Sequence, residues 1–131
     1  MMKPTQSQFI AYQKIFDYFN KRLFDNCLSD CMLGFSRRRN SSHALFTPGQ
    51  WRLESGSSKA EISLNLKQLR EAEPINFMAT LVRQMVHLWQ KMYGHPSGNG
   101  YYNREWAMKM EEISRISHGH CVRYFRKEKI F

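Results

Sequence analysis

The chain has 131 residues, 42% of them hydrophobic and 14% aromatic, enough apolar material for the core of one domain and too much for a disordered chain. Twenty Lys and Arg against 11 Asp and Glu give a net charge of +9, the balance of a domain that meets a polyanion or an acidic protein surface. Three cysteines are too few for a secreted disulfide scaffold, the N-terminus has no apolar signal core, and no apolar run approaches the roughly 18 residues of a membrane span, so a cytoplasmic chain without membrane contact is expected.

Apolar residues recur at helical spacing over residues 5–25: Phe9, Tyr12, Phe16, Phe19 and Leu23, with Ile15 widening the stripe. Thr5 or Ser7 is the expected cap of this helix, and Asp25-Asn26 its stop. From residue 31 to 66 the pattern changes to short apolar runs at 31–35, 44–46, 51–53 and 61–66. Turn formers separate them at 39–42, 47–49 and 55–58. Residues 61–66 alternate polar and apolar, the pattern of a half-buried strand. These runs predict three or four short antiparallel strands. Pro74 introduces a second long helix over about 75–92, a breaker-rich loop follows at 94–100, and Asn103 caps a last helix over about 104–116. A helix, a small sheet and two further helices make an α+β domain. We expect a single domain over 1–131, with its core at about 5–116 and a basic, aromatic tail at 117–131.

His87 stands in the second of these helices, in the run Met85-Val86-His87-Leu88-Trp89-Gln90. A zinc-protease helix places two histidines four residues apart, because both then reach one metal from one helical face. A glutamate after the first histidine takes the proton of the metal-bound water. Four residues before His87 stands Arg83, and the glutamate slot holds Gln84. On spacing alone, a lone histidine in such a helix reads as a hydrogen-bonded core imidazole.

The surrounding residues say more. Phe19-Asn20, Leu23-Phe24-Asp25, Glu61-Ile62-Ser63-Leu64-Asn65, the run from Met85 to Gln90, Gly100-Tyr101, Asn103-Arg104-Glu105-Trp106-Ala107 and Met110-Glu111-Glu112-Ile113 resemble the SprT-like family, which includes the Spartan-type DNA-dependent metalloproteases. The resemblance covers roughly residues 9–116 and implies a zincin-like core. It makes Arg83 the counterpart of the family's first ligand histidine, Gln84 of its catalytic glutamate, His87 of its second ligand and Tyr102 of its third. Only His87 keeps the family's residue type, so the resemblance implies a degenerate member without zinc, cofactor or catalytic residues. A guanidinium repels a dication, an amide is no general base, and a phenol with pKa near ~10 must first lose its proton to bind metal. Two placements of Arg83 are open: in the vacated metal position against His87 or Tyr102, or turned to solvent as part of a basic face.

Other clusters bear on binding. Cys27 and Cys31 are spaced by four, and His118, His120 and Cys121 lie together, but this is no recognised zinc-finger spacing. The zinc ribbon that often follows this domain in the family is expected to be absent. Arg37, Arg38 and Arg39, and the tail residues Arg123, Tyr124, Arg126, Lys127 and Lys129, combine positive charge with aromatic rings and suit phosphate contacts with base stacking. The leading expectation is an inactive SprT-like domain that binds nucleic acid or a nucleic-acid-bound protein complex. The alternative is a protein-binding inhibitor or decoy from a mobile element, a phage or plasmid, that blocks a host nucleic-acid or defence machine through an acidic surface. A third is a residual metalloprotease.

Overall fold

A computed structural model describes residues 3–36, 44–52, 54, 56, 58–65, 74–98 and 101–116. Helix α1 spans Pro4–Phe24, strand β1 Met32–Ser36, β2 Ala44–Arg52 and β3 Ser58–Asn65; α2 spans Pro74–Tyr93 and α3 Arg104–Ile116. The α+β order of one helix, strands, then two helices is the expected one. No helix among the described residues is long and apolar enough to cross a membrane.

Helix α1 begins one residue before the expected span, at Pro4, with Lys3 as its N-cap. Pro4 occupies the first turn, where its missing N–H costs nothing, and the Lys3 N–H donates to Gln6 Oε1 at 3.3 Å. Neither Thr5 nor Ser7 is the cap. The stop at Asp25-Asn26 is as expected: both adopt positive φ, 52° and 59°, and the Asn26 N–H closes onto the Asn20 carbonyl at 2.9 Å. The Asn20 side chain then holds the outgoing chain, accepting from Leu28 N and donating to Leu28 O, both at 3.1 Å. Tyr12, Phe16, Phe19 and Leu23 are buried on the inner face of α1, whereas Phe9 is 39% exposed.

The sheet corrects two expectations. It has three strands in the order β1-β3-β2, and it is mixed. β3 runs antiparallel to β2 but parallel to β1, with Met32 opposite Glu61 and Ser36 opposite Asn65. The chain lays β2 at the far edge and returns through the gap, so the third strand repeats the direction of the first. The expected turn at 47–49 is also no turn. Residues 44–46 and 51–52 belong to one strand, and the pairing register shifts between Thr47 and Trp51. Pro48 has no N–H for the ladder, and Gly49, at φ 62°, accommodates the extra residues as a bulge does.

β3 is more buried than its alternation suggests. Ile62 and Leu64 are fully covered, and Ser63 and Asn65 are buried as well. The central position supplies the reason: a strand paired along both edges loses the exposure of a half-buried edge strand, and small Gly34 stands opposite Ser63. Tyr12 reaches over from α1 and donates its hydroxyl to Ile62 O at 3.2 Å.

Helix α2 packs against β2 and β3 and against both other helices. Leu81, Val82, Met85 and Val86 are wholly inaccessible, and they join Trp106, Met110 and Ile113 of α3 and Phe16 of α1 in one core. This central placement fixes the face of α2 that carries residues 84, 87 and 91.

The clip between α1 and the following chain gives a direct test. Asn20→Ala leaves the Leu28 N–H and C=O without their partner, and the stability measured by urea denaturation falls by about 1–3 kcal/mol.

Candidate functional site

Gln84, His87 and Lys91 share one face of α2, because steps of three and four residues return to the same side of a helix. Above them opens a cleft of about 740 Å³. Ala44, Leu45, Phe46 and Pro48 of β2 form one wall, so the bulge places Pro48 in the site. Pro96, Ser97 and Gly98 with Tyr101 and Tyr102 form the opposite wall.

His87 lies among rings. Phe46 is nearly parallel to the imidazole at 5.9 Å and 15°, Tyr102 lies at 5.2 Å and 30°, and Trp106 at 5.6 Å and 36°. Tyr102 in turn stacks on Trp106 at 4.0 Å and 9°. Burial among these groups, and secondarily the positive charge of Arg83, push the His87 pKa down to about 4. The ring is therefore neutral at physiological pH, with one nitrogen a donor and the other an acceptor.

A buried amide sets this arrangement from below. Gln90 is 1% exposed, and its Nε2 faces His95 O at 3.3 Å, Asn103 Oδ1 at 2.7 Å and Glu105 Oε1 at 2.9 Å. Asn103 Nδ2 also donates to His95 O at 3.0 Å, and Asn103 Oδ1 accepts the Trp106 N–H at 3.0 Å, the cap expected of Asn103. Glu105 Oε1 accepts the His95 N–H at 2.6 Å. That backbone donor first, and the Gln90 amide second, hold the Glu105 carboxyl below its ordinary pKa. Gly94 fits beside the same carboxylate only because it lacks a Cβ, which would collide with Glu105. The chain on either side of Tyr102 is thus tied to the end of α2.

The sequence-predicted positions meet here. Gln84 and His87 line the cleft with Tyr102, and Arg83 lies one helical turn before His87. Neither expected placement of Arg83 is the observed one. Its Nη2 lies 3.4 Å from Thr80 Oγ1, its Nε is buried without a partner, and among the described residues it makes no hydrogen bond to His87 or Tyr102. The guanidinium lies back along the helix, half-buried, and acts on His87 through its charge. Arg37, Arg38 and Arg39 lie outside the described residues, as do His118, His120, Cys121, Arg123, Tyr124, Arg126, Lys127 and Lys129.

Sequence reasoning missed the parts that are not chemical in type. Phe46, Lys91 and the Gln90-Asn103-Glu105 network carried no catalytic signature, although a glutamine closing the long apolar run of α2 signals a buried amide that needs partners.

A model of the SprT-like family matches residues 12–126. The chain belongs to the SprT-like family. No curated protein matches it. Zinc is the metal implied by this family, and the residues at its position in this SprT-like chain do not fit it. One imidazole, an amide, a phenol and a nearby guanidinium do not supply three anionic or imidazole ligands. Among the described residues no group of three or more His, Cys, Asp or Glu side chains converges anywhere. The other candidate fares no better on its described half. Cys27 and Cys31 are free thiols, and burial first, then Asp30, push Cys31 up to about 12, away from the thiolate that a metal requires.

The neutral imidazole makes a pH test. The unfolded chain takes up a proton on His87 near pH 6.5, the folded chain only near 4, so this group's contribution to stability is complete above 6.5 and is lost as pH falls towards 4. An NMR titration of the His87 ring should show a midpoint near 4, and Arg83→Met should raise it while leaving it below 6.5, because burial is the larger cause.

Proposed function

We propose that this SprT-like chain is a binding module for nucleic acid or a nucleoprotein complex and does not cut. The observation that carries this reading is the gathering of Gln84, neutral His87 and Tyr102 around one cleft, with the Arg83 charge acting on His87. Gln84 has no proton-accepting basicity where a protease needs a general base, and Arg83 adds positive charge where a protease needs a dication. The reading includes the absence of zinc and a cytoplasmic location.

The cleft suits a polyanion with flat bases. Its described lining has one charged residue, Lys91, and no carboxylate. Tyr101 and Tyr102 are 72% and 53% exposed at its rim, where a base can stack. The net charge of +9 acts in the same direction over a longer range.

One observation favours the second reading, a protein-binding inhibitor or decoy. β2 is an edge strand of the described sheet and lines the cleft, so an extended peptide has a strand to pair with. Nuclease treatment separates the two: a complex recovered from host lysate that survives it belongs to the second reading.

Fluorescence anisotropy with a labelled single-stranded oligonucleotide tests the first. Affinity should fall linearly with salt on logarithmic axes, by about 0.7 in slope per phosphate neutralised. Absence of binding even at low salt overturns the proposal. The loss of zinc has its own test. Arg83→His, Gln84→Glu and Tyr102→His introduced together should give a folded chain that takes up one zinc, read by atomic absorption. Stoichiometric zinc in the unaltered protein, lost on His87→Ala, would instead establish a metalloenzyme.

A further inference from the structure

Gln84 is only 7% exposed, yet it lines the cleft, and among the described residues its amide makes no hydrogen bond. Neither its Oε1 nor its Nε2 is among the buried atoms without a partner, so both face the open cleft and are free for a ligand. The unmet atoms are one acceptor oxygen and two N–H donors on one planar group. One turn further along the same face, His87 presents a neutral ring that also makes no hydrogen bond among the described residues, offering one donor and one acceptor. Both groups call for a ligand edge that alternates donors and acceptors.

The rest of the cleft restricts that ligand further. Leu45, Phe46, Pro48 and Pro96 are apolar, and Tyr102 is held by its stacking on Trp106. A flat, apolar body fits between such walls. Lys91 stands one turn beyond His87 and supplies an ammonium for an anionic group. The described lining has no carboxylate to pair with a cationic ligand. A volume of about 740 Å³ is ample for one nucleotide.

We propose that the cleft takes one unstacked nucleobase of a single strand, its hydrogen-bonding edge read by Gln84 and His87 and its phosphate met by Lys91. The inference rests on the nucleic-acid reading above and narrows it to one base, one edge and one helix face. Glutamine amides pair bidentately with adenine, and this site gives the chain a base preference in addition to its electrostatic attraction for the backbone. A peptide segment would also satisfy Gln84, but it would leave the planar slot and Lys91 without a counterpart.

The test titrates the four nucleoside 5′-monophosphates and, separately, ribose 5-phosphate into the full chain while the Gln84 side-chain amide signals are followed by NMR. At least one monophosphate should move those signals saturably, and ribose 5-phosphate should not. Gln84→Leu, similar in size and apolar, should weaken binding of that monophosphate about ten- to hundredfold, the worth of a lost bidentate pair. If Gln84→Leu does not fold, the titration of the unaltered protein decides alone. Equal shifts from ribose 5-phosphate overturn the base reading in favour of a phosphate site. Gln84 signals unmoved by all four, with a single-stranded oligonucleotide still bound, also overturn it and leave the broader reading intact. Failure of both nucleotides and oligonucleotide to bind removes the two together.

Discussion

The Gln90 amide joins the end of α2 to the loop after it and to the start of α3. It sits at the C-terminal end of α2, buried, with the His95 carbonyl, the Asn103 side chain and the Glu105 carboxylate around one nitrogen. All three acceptors serve twice, since Asn103 Oδ1 caps α3, Glu105 takes the His95 N–H and the His95 carbonyl also accepts from Asn103 Nδ2. The three acceptors are part-exposed, and the network is linked through every member. Its effect is positional: the loop leaves α2 at Gly94, whose lack of a Cβ admits the Glu105 carboxylate, and returns at Asn103. Tyr102, the residue before that cap, has its place against Trp106 and His87 set by this joint.

A second contact secures the same two helices from the other side. Lys109 of α3 lies over the Trp89 ring at 4.7 Å while pairing with Glu112 at 3.3 Å. Its aliphatic stem covers apolar surface and its ammonium faces the ring, so one long side chain adds both packing and cation–π attraction. With α2 held by the sheet on one side and α3 on the other, the face carrying Gln84, His87 and Lys91 cannot rotate away from β2. The cleft is therefore a consequence of the scaffold.

How much of this was legible in the sequence depends on the kind of order involved. Helical periodicity placed all three helices within a few residues, because the buried stripes of α1 and α2 repeat over five turns. Strand periodicity found the strand segments but not their neighbours. Alternation says which face a residue occupies and nothing about which strand lies beside it, so the parallel pairing of β1 with β3 was invisible. Proline and glycine at 48 and 49 read as a turn because the same two residues that end a strand also accommodate a bulge within one. At the site, Gln84, His87 and Tyr102 line one cleft. Arg83 lies against Thr80, a partner on its own helix that spacing does not single out. Gln90 and Glu105 stand within the runs that match the family, yet their hydrogen bond joins residues 15 apart, which no run in the sequence connects.

The surroundings of His87 separate two roles that a zinc site would combine. A metal ligand must keep a lone pair free and is usually oriented by a hydrogen bond at its other nitrogen. His87 is oriented by three rings, and the packing of Phe46, Tyr102 and Trp106 needs an aromatic side chain of this size at this point irrespective of any lone pair. The same packing lowers its basicity, and the charge of Arg83 adds to that effect. A cation at this position would meet an arginine one turn away and no carboxylate in the described lining of the cleft. An anion or a neutral hydrogen-bonding edge would meet an ammonium, an unpaired amide and a neutral imidazole. The described lining carries one charge, the Lys91 ammonium, with the Arg83 guanidinium on the same helix, whose buried half supplies the core. On α2 itself, Leu81, Val82, Met85 and Val86 build the core while Gln84, His87 and Lys91 line the cleft.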